Sequence, residues 1–486
     1  MHKSNPDSQD ESLAVEYRRR QRWQWFLLAI FALILVAGFW PSRRSGQQID
    51  EPAAAVDFGP ATEFVDGSRA ESESGRRQTR RFARREPEPA PTAEQIVAGK
   101  VMQFGRMRHN LVRAIGHRLQ RDVPPEVEKF FDAIEAGQWG EIKIQWDVLA
   151  THSGQYEYST NHWEELNPFW PAVLDAYGVA EQAHLWPAQK LLDYGNAILD
   201  SLRPGMVYAG GTDDGRWIPE LLNETREGEQ HIIVTQNALA DGRYTDFVNT
   251  LYGDRMTTLT SEDSQRIFQD YIADAQKRLE HDQQFPDEPK QLQPGEDVRV
   301  VDGKVQVSGQ VAVMAINEKL LQTLMEKNPE LSFAIQESFP FKGTYPDALP
   351  LGPLMELGAR NEQNSFTSER AGEALDYWRN ATQQILSDPE ARGSDAALKS
   401  YSHDAVAAAN LLAAHNYSPE AEEAYRLAAQ LWPSNPESAS GLADLLAASG
   451  RMEQAQQLLN DFSQEYPDER KTLERISALW KLSVSN

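Results

Sequence analysis

The stretches AEEAYRLAAQLWP (residues 421–433) and AQQLLNDFSQEYP (residues 455–467) decide how the C-terminal part of the chain folds. Each has the apolar spacing of an amphipathic helix, and each ends in a proline, which cannot continue a helix. Their matching positions lie 34 residues apart: Ala421 and Ala455, Tyr425 and Leu459, Ala428 and Phe462, Pro433 and Pro467. The sequence therefore predicts a helical unit that occurs at least twice.

The helices before these stretches carry the same period, because Ala409 and Leu412 recur as Ala443 and Leu446. A 34-residue helix–turn–helix unit with small residues at its helix crossings is the tetratricopeptide signature. We predict two such repeats within an all-α region at residues 366–486. Since about three units are usually needed for a stable stack, the repeats are expected to dock on the rest of the chain.

The sequence between residues 201 and 365 predicts an α/β domain. Short apolar runs alternate there with helical patterns, which is typical of a mainly parallel sheet. The runs are residues 206–209, 231–235, 311–316 and 333–336. Asp302-Gly303, flanked by alternating residues, predicts a β-hairpin. Residues 96–200 are predicted to be a helical region, and the tryptophans between Trp139 and Trp217 form either a core or a sugar-binding surface.

A glycine-rich turn follows the first of these runs, where a helix is predicted to begin. In open α/β sheets ligands bind beyond the carboxyl ends of the strands, and a helix start presents free N–H groups. The candidate ligand-binding residues are Gly210, Gly211, Thr212, Asp213, Asp214, Asn237 and Glu337. The turn lacks a phosphate-loop motif, and its aspartates would repel phosphate. The alternative interpretation is an aspartate cap on a tight turn. No cofactor and no metal site is predicted.

Three segments around this turn resemble a known family: residues 210–222 (GGTDDGRWIPELL), 235–254 and 336–357. They are similar to a soluble module at the carboxyl end of multi-spanning bacterial membrane proteins that resemble protein mannosyltransferases, predicted C-type glycosyltransferases. The module also occurs in single-anchor proteins with tetratricopeptide repeats. The resemblance covers roughly residues 185–360 and is weak over residues 96–184.

In the multi-spanning relatives the turn often reads Gly-Gly-Asp-Asn-Asp-Thr. Gly210, Gly211 and Asp214 correspond to that pattern, while Thr212, Asp213 and Gly215 depart from it. The carboxylate expected to be catalytic in those enzymes lies in their membrane portion. The resemblance therefore implies a soluble fold and a cell-envelope setting, and it does not imply transferase activity.

A long apolar segment lies near the N-terminus. Residues 23–40 include 16 consecutive residues without a charged or polar side chain (WFLLAIFALILVAGFW) and are bounded by tryptophans, which is typical of a transmembrane helix. The alternatives are a cleaved signal peptide and a buried core helix. Arg18, Arg19, Arg20 and Arg22 precede the segment, so residues 1–22 are predicted to be a cytoplasmic tail. The rest of the chain would then lie in the periplasm of a bacterium, tethered to the inner membrane.

Residues 41–95 have the composition of a disordered linker. Within it, six arginines lie between Arg76 and Arg85. They indicate either contact with anionic lipid head groups or with the acidic part of the chain, or simply a solvated charge run in a tether.

The charge balance and the absence of catalytic motifs narrow the choice of function. The chain has 48 Lys and Arg against 73 Asp and Glu, a net charge of −25, so nucleic acid is not an expected partner. It has no cysteine, which excludes disulfides and thiolate chemistry. Without a recognised catalytic motif, we favour a membrane-tethered adaptor that binds a protein through its repeats. The alternative is a module for envelope glycans or lipid-linked sugars, centred on the Gly210–Gly215 turn.

Overall fold

The computed structural model describes residues 90–481, except residues 157–158, 212, 294, 302, 338 and 362–363. The predicted tail (residues 1–22), membrane segment (residues 23–40) and most of the predicted linker (residues 41–95) lie outside the described residues. Between residues 90 and 481, those gaps aside, no helix combines the length and apolar character that crossing a bilayer requires.

Five helices form the first part of the described residues. They are α1 (Ala93–Leu119), α2 (Pro125–Glu135), α3 (Trp139–His152), α4 (Trp170–Leu185) and α5 (Ala188–Ser201). Thr92 begins α1 with a capping box, in which its hydroxyl accepts from the Gln95 N–H while the Gln95 side chain accepts from the Thr92 N–H. Trp146, Trp170, Trp186 and Trp217 are buried in the core, which favours packing over sugar binding as the role of these rings.

Strands and helices alternate in the middle of the chain. The elements are β1 (Val207–Gly210), α6 (Asp213–Glu224), β2 (Ile232–Thr235), α7 (Gly242–Tyr252), α8 (Ser261–Gln284), β3 (Asp297–Val301), β4 (Lys304–Ser308), α9 (Gln310–Lys327), β5 (Phe333–Ile335), β6 (Leu349–Leu351) and β7 (Leu354–Leu357). One sheet has the order β2-β1-β5-β7-β6, and β3 with β4 forms a separate hairpin. β1 pairs in parallel with β2 and β5, whereas β7 is antiparallel to β5 and β6.

The prediction of a mainly parallel α/β domain with a transmembrane helix is wrong as a description of the fold. Helices make up 65% of the structure and the strands are few and short. Half of the pairings in the five-stranded sheet are antiparallel. The predicted strand at residues 311–316 is the first part of α9, whose buried positions include Ala312, Val313 and Ile316. A short run of apolar, β-branched residues cannot be assigned to strand or helix by periodicity alone.

Seven helices complete the described part of the chain. They are α10 (Ser368–Ser387), α11 (Pro389–Arg392), α12 (Asp395–Ala414), α13 (Ser418–Leu431), α14 (Pro436–Ala448), α15 (Met452–Glu465) and α16 (Arg470–Lys481). The two stretches that define the 34-residue period form α13 and α15. One continuous hydrophobic core joins the N-terminal helices, the sheet and the helices from α10 to α15. The repeats are therefore docked on the sheet.

Candidate functional site

The carboxyl ends of β1, β2 and β5 meet at one edge of the sheet. The Gly211 N–H donates to the Gln336 side-chain oxygen at 3.1 Å, and the Gln236 side-chain amide donates to the Gln336 carbonyl at 2.6 Å. The Asn237 amide lies 3.4 Å from the Gly211 carbonyl oxygen. The loops after these three parallel strands therefore converge, as expected for the carboxyl edge of an open sheet.

The side chain of Gln336 fills the space beside the glycine turn. A Cβ atom at Gly215 would lie 2.2 Å from the Gln336 side-chain oxygen. The Tyr208 hydroxyl, from the middle of β1, donates to the Gly215 carbonyl. Glycine is therefore required at position 215 because the first turn of α6 packs directly on the amide of a neighbouring strand's loop.

Helix α12 of the first repeat covers this edge. The Gln336 amide donates to Asp404 Oδ1 at 2.6 Å, and the Tyr194 hydroxyl of α5 donates to Asp404 Oδ2 at 3.0 Å. Asp404 is buried, and burial, together with the nearby Asp214 carboxylate, raises its pKa to about 7. One carboxyl group thus joins the N-terminal helices, the sheet and the repeats, and its charge depends on pH near neutrality.

A second buried carboxyl group lies further along the same junction. Glu337 accepts from the Tyr345 hydroxyl at 2.8 Å and from the Asn410 amide of α12 at 3.1 Å. Asn410 in turn accepts from the Tyr425 hydroxyl of α13 at 2.7 Å. Burial raises the pKa of Glu337 to about 8 despite these hydrogen bonds. The loop after β5 is therefore fixed to both helices of the first repeat.

Polar contacts also join the two repeats to each other. His403 Nδ1 lies 2.8 Å from the Glu437 carboxylate, which is 34 positions later in the chain. Burial alone would lower the pKa of His403, but the Glu437 carboxylate outweighs it and raises the pKa to about 9. The Asn435 amide, at the N-cap of α14, donates to the Ser402 hydroxyl at 2.9 Å.

A different buried network holds the N-terminal helices to α6. Arg108 of α1 lies 2.7 Å from Glu220 and 2.6 Å from Glu224, and Arg216 pairs with Asp175 of α4. Three carboxyl groups share two guanidinium groups in this network. Burial and the neighbouring Asp175 raise the pKa of Glu220 well above its usual range, against the pull of the two guanidinium groups.

The structure brings together only part of the predicted ligand set. Gly210, Gly211 and Asn237 lie at the converging loops, and Asp213 and Asp214 form the first turn of α6. Glu337 contacts the repeats instead of the turn, and Thr212 lies outside the described residues. In the part of the chain that the structure describes, no group of three or more His, Asp or Glu side chains could hold a metal ion.

The predicted repeat residues occupy two kinds of position. Ala421, Tyr425, Ala428 and Ala455 are buried between helices, and Leu459 is half-buried. Pro433 and Pro467 are exposed where α13 and α15 have ended. A Cβ atom at Gly441 of α14 would lie 2.5 Å from the ring of Tyr425, so the two helices touch at this glycine.

Sequence reasoning missed Gln336, Tyr194, Asp404, His403 and Asn410. One signal was available: Asp404 and Asn410 lie inside the alanine-rich stretch that forms α12. A polar side chain in an apolar helix requires a hydrogen-bonding partner, and here the partners come from the sheet.

Comparison with known proteins identifies one part of the chain. Residues 402–474 match the tetratricopeptide repeat family. Neither a curated protein nor a solved structure matches the chain. The resemblance of residues 185–360 to a glycosyltransferase-related module therefore stays a prediction. The matched residues begin within α12, include α13, α14 and α15 and end within α16, so residues 402–474 form a tetratricopeptide-repeat region.

Proposed function

We propose that the chain is a scaffold that binds a protein partner through the repeat surface formed by α14, α15 and α16. Tetratricopeptide repeats suggest protein–protein interaction or a scaffold function. The observation that carries the proposal is the position of α12, whose inner face is already occupied by the sheet through Asp404 and Asn410. The surface available to a partner protein is therefore that of the second repeat.

The second repeat has the features that such a surface requires. Met452, at the start of α15, is 53% exposed although it is a large apolar residue. A methionine side chain is flexible and polarizable, so it adapts to the surface of a partner. Gln456 and Gln457 on the following turn are also exposed and offer hydrogen-bond donors and acceptors.

Cross-linking the full-length chain in cells, with a matched pair of variants, tests this proposal. Met452→Glu places a charge on the proposed surface, and Ile144→Glu makes the same change at a residue of α3 that is 58% exposed. We expect Met452→Glu to lose a partner that the wild type and Ile144→Glu both retain. Identical sets of partners for all three proteins would contradict the proposal.

A second candidate function is the binding of an envelope glycan or lipid-linked sugar at the Gly210–Gly215 turn. It is supported by the resemblance of residues 185–360 and by Asp404, whose pKa lies near neutrality beside the carboxyl edge of parallel strands. Because the Gln336 side chain packs against the turn, a sugar would have to displace it. Thermal stabilisation by sugars or nucleotide-sugars that Asp214→Asn abolishes would support this candidate, and no shift with any of them would exclude it.

The cellular setting is part of the proposal. The apolar residues 23–40 and the arginines before them favour association with a bacterial inner membrane, with the N-terminus in the cytoplasm and the bulk of the chain in the periplasm. Membrane fractionation and protease treatment of spheroplasts test this. A chain that stays in the soluble fraction, or that is protected in intact spheroplasts, would contradict it.

A further inference from the structure

The β3–β4 hairpin is separate from the five-stranded sheet and has an unpaired edge. Among the described residues this sheet consists of two strands, so β3 has one edge to which no strand is paired. Val300 is 57% exposed and Val301 is 40% exposed. An exposed strand edge with apolar residues is a template for pairing with another chain.

Only one face of the hairpin is covered by the rest of the protein. Val298, Val305 and Val307 pack around Ala275 of α8 in a cluster of few residues. The register pairs Val298 with Val307 and Val301 with Lys304. With a two-residue loop after Val301, the closing pair exchanges both of its hydrogen bonds within the hairpin. The N–H and C=O groups of Val298 and Val300 therefore point outward, toward the free edge.

We propose that a second copy of this chain pairs with the free edge of β3, so that two hairpins form one antiparallel four-stranded sheet across a two-fold axis at Val298. A two-fold axis is the commonest symmetry of protein dimers, and it requires a surface that is complementary to itself. The charged side chains of β3 are complementary to those of a second copy in one pairing register.

Charge complementarity selects this register from its neighbours. With Val298 opposite its own copy, Asp297 lies opposite Arg299 of the second copy, and the same pair forms again on the other side of the axis. A shift that centres the pairing on Arg299 would place two arginines opposite each other, which is unfavourable. Within one chain Asp297 and Arg299 already lie 2.6 Å apart and are 41% and 72% exposed, so both remain available to the second copy.

The cysteine-free sequence allows a direct test with full-length protein. In the proposed pairing, residues 297 and 299 of the two copies form a non-hydrogen-bonded pair with Cα atoms about 4.5 Å apart, a separation at which a disulfide forms. Each residue is about 7–8 Å from its own counterpart. We expect a mixture of Asp297→Cys and Arg299→Cys proteins to form more cross-linked dimer than either variant alone. Val301→Cys mixed with Asp297→Cys is the matched control on the same face of β3.

Charge reversal gives an independent measurement. Arg299→Asp places like charges opposite each other at both sides of the axis and should weaken association about tenfold. The double variant Asp297→Arg with Arg299→Asp should restore association. Circular dichroism and the unfolding midpoint of each variant show whether the hairpin and the rest of the chain remain folded.

Three results would overturn the proposal. One is a mixture of Asp297→Cys and Arg299→Cys that cross-links no better than the Val301→Cys control. Another is preferential cross-linking between two Arg299→Cys copies, which would establish the like-charged register. The third is a sedimentation profile that shows monomer alone up to about 1 mM protein.

Discussion

The buried Asp404 makes a prediction about how stability depends on pH. Its carboxyl group is held between the Gln336 amide and the Tyr194 hydroxyl, and burial raises its pKa from 3.8 to about 7. The folded state therefore binds a proton that the unfolded chain releases at lower pH. Stability from this group is greatest below the unfolded pKa and falls as the pH rises toward the folded pKa. Asp404→Asn should remove this dependence, because an amide keeps the size of the side chain but does not titrate.

The size of this stability change follows from the shift in the pKa of Asp404. A difference of about three pKa units corresponds to about 4 kcal/mol in the free energy of unfolding well above pH 7. About half of it, roughly 2 kcal/mol, is lost between about pH 5.5 and about pH 8. Burial raises the pKa of Glu337 to about 8, so Glu337 also lowers stability as the pH rises. This contribution remains in Asp404→Asn, so the variant still loses some stability over the same pH range.

Urea unfolding of the full-length chain across this pH range measures the effect. We expect the wild type to lose stability from about pH 5.5 to about pH 8, and Asp404→Asn to lose about 2 kcal/mol less. Asp395→Asn is the matched control, since Asp395 belongs to the same helix but its side chain is 87% exposed. If Asp404→Asn and the wild type had the same slope, Asp404 would be ionised in the fold throughout and the reasoning would be refuted.

Four further substitutions test helix packing and the buried N-terminal network by urea unfolding. Gly441→Ala should destabilise the chain by about 1–2 kcal/mol, because its Cβ would meet the ring of Tyr425, whereas Gly372→Ala in α10 meets nothing within 4 Å and should stabilise it by up to about 1 kcal/mol. Arg108→Met should cost about 3–5 kcal/mol, because it leaves buried carboxylates without a counter-charge. Glu220→Gln should cost less than Arg108→Met, since burial and Asp175 raise the pKa of Glu220 well above its usual range and so favour its neutral form, which an amide resembles; a loss as large as that of Arg108→Met would contradict this.

The 34-residue repeat and the Asp-Gly turn signal predicted the elements they belong to correctly. The 34-residue spacing located α13 and α15 because small residues at helix crossings and prolines after helix ends are local requirements. Asp302-Gly303 located the β3–β4 hairpin because a two-residue loop leaves few alternatives to an Asp-Gly or Asn-Gly pair.

Short apolar segments were predicted less well. Residues 311–316 form a helix because the same face continues through Leu320 and Leu324, beyond the window in which a strand was assigned. β6 and β7 were not recognised, since Pro350 and Pro353 interrupt their pattern, yet β6 tolerates Pro350 as the edge strand of the sheet.

The sequence predicted some of the residues that the sheet contributes to the candidate site, but not those that the repeats contribute. The position of the glycine turn followed from the order of the elements, but its contact with Asp404 depends on how the repeats dock, and no local pattern specifies that. Gln336 could be placed at the edge from its position after β5, whereas Tyr194 and Asp404, which its side-chain amide contacts, are 142 and 68 residues away in the chain.

The burial of α12 on the sheet has a consequence for how the protein can be dissected. Repeat arrays are usually treated as exchangeable modules, but here the first helix of the array supplies the hydrogen-bond partners of Gln336 and Glu337. A chain shortened before α12 would expose those groups, and a chimera with foreign repeats would mismatch them. Loss of binding after such a deletion would therefore report a damaged sheet as readily as a missing partner surface, which is why single exposed substitutions are the informative probes of this protein.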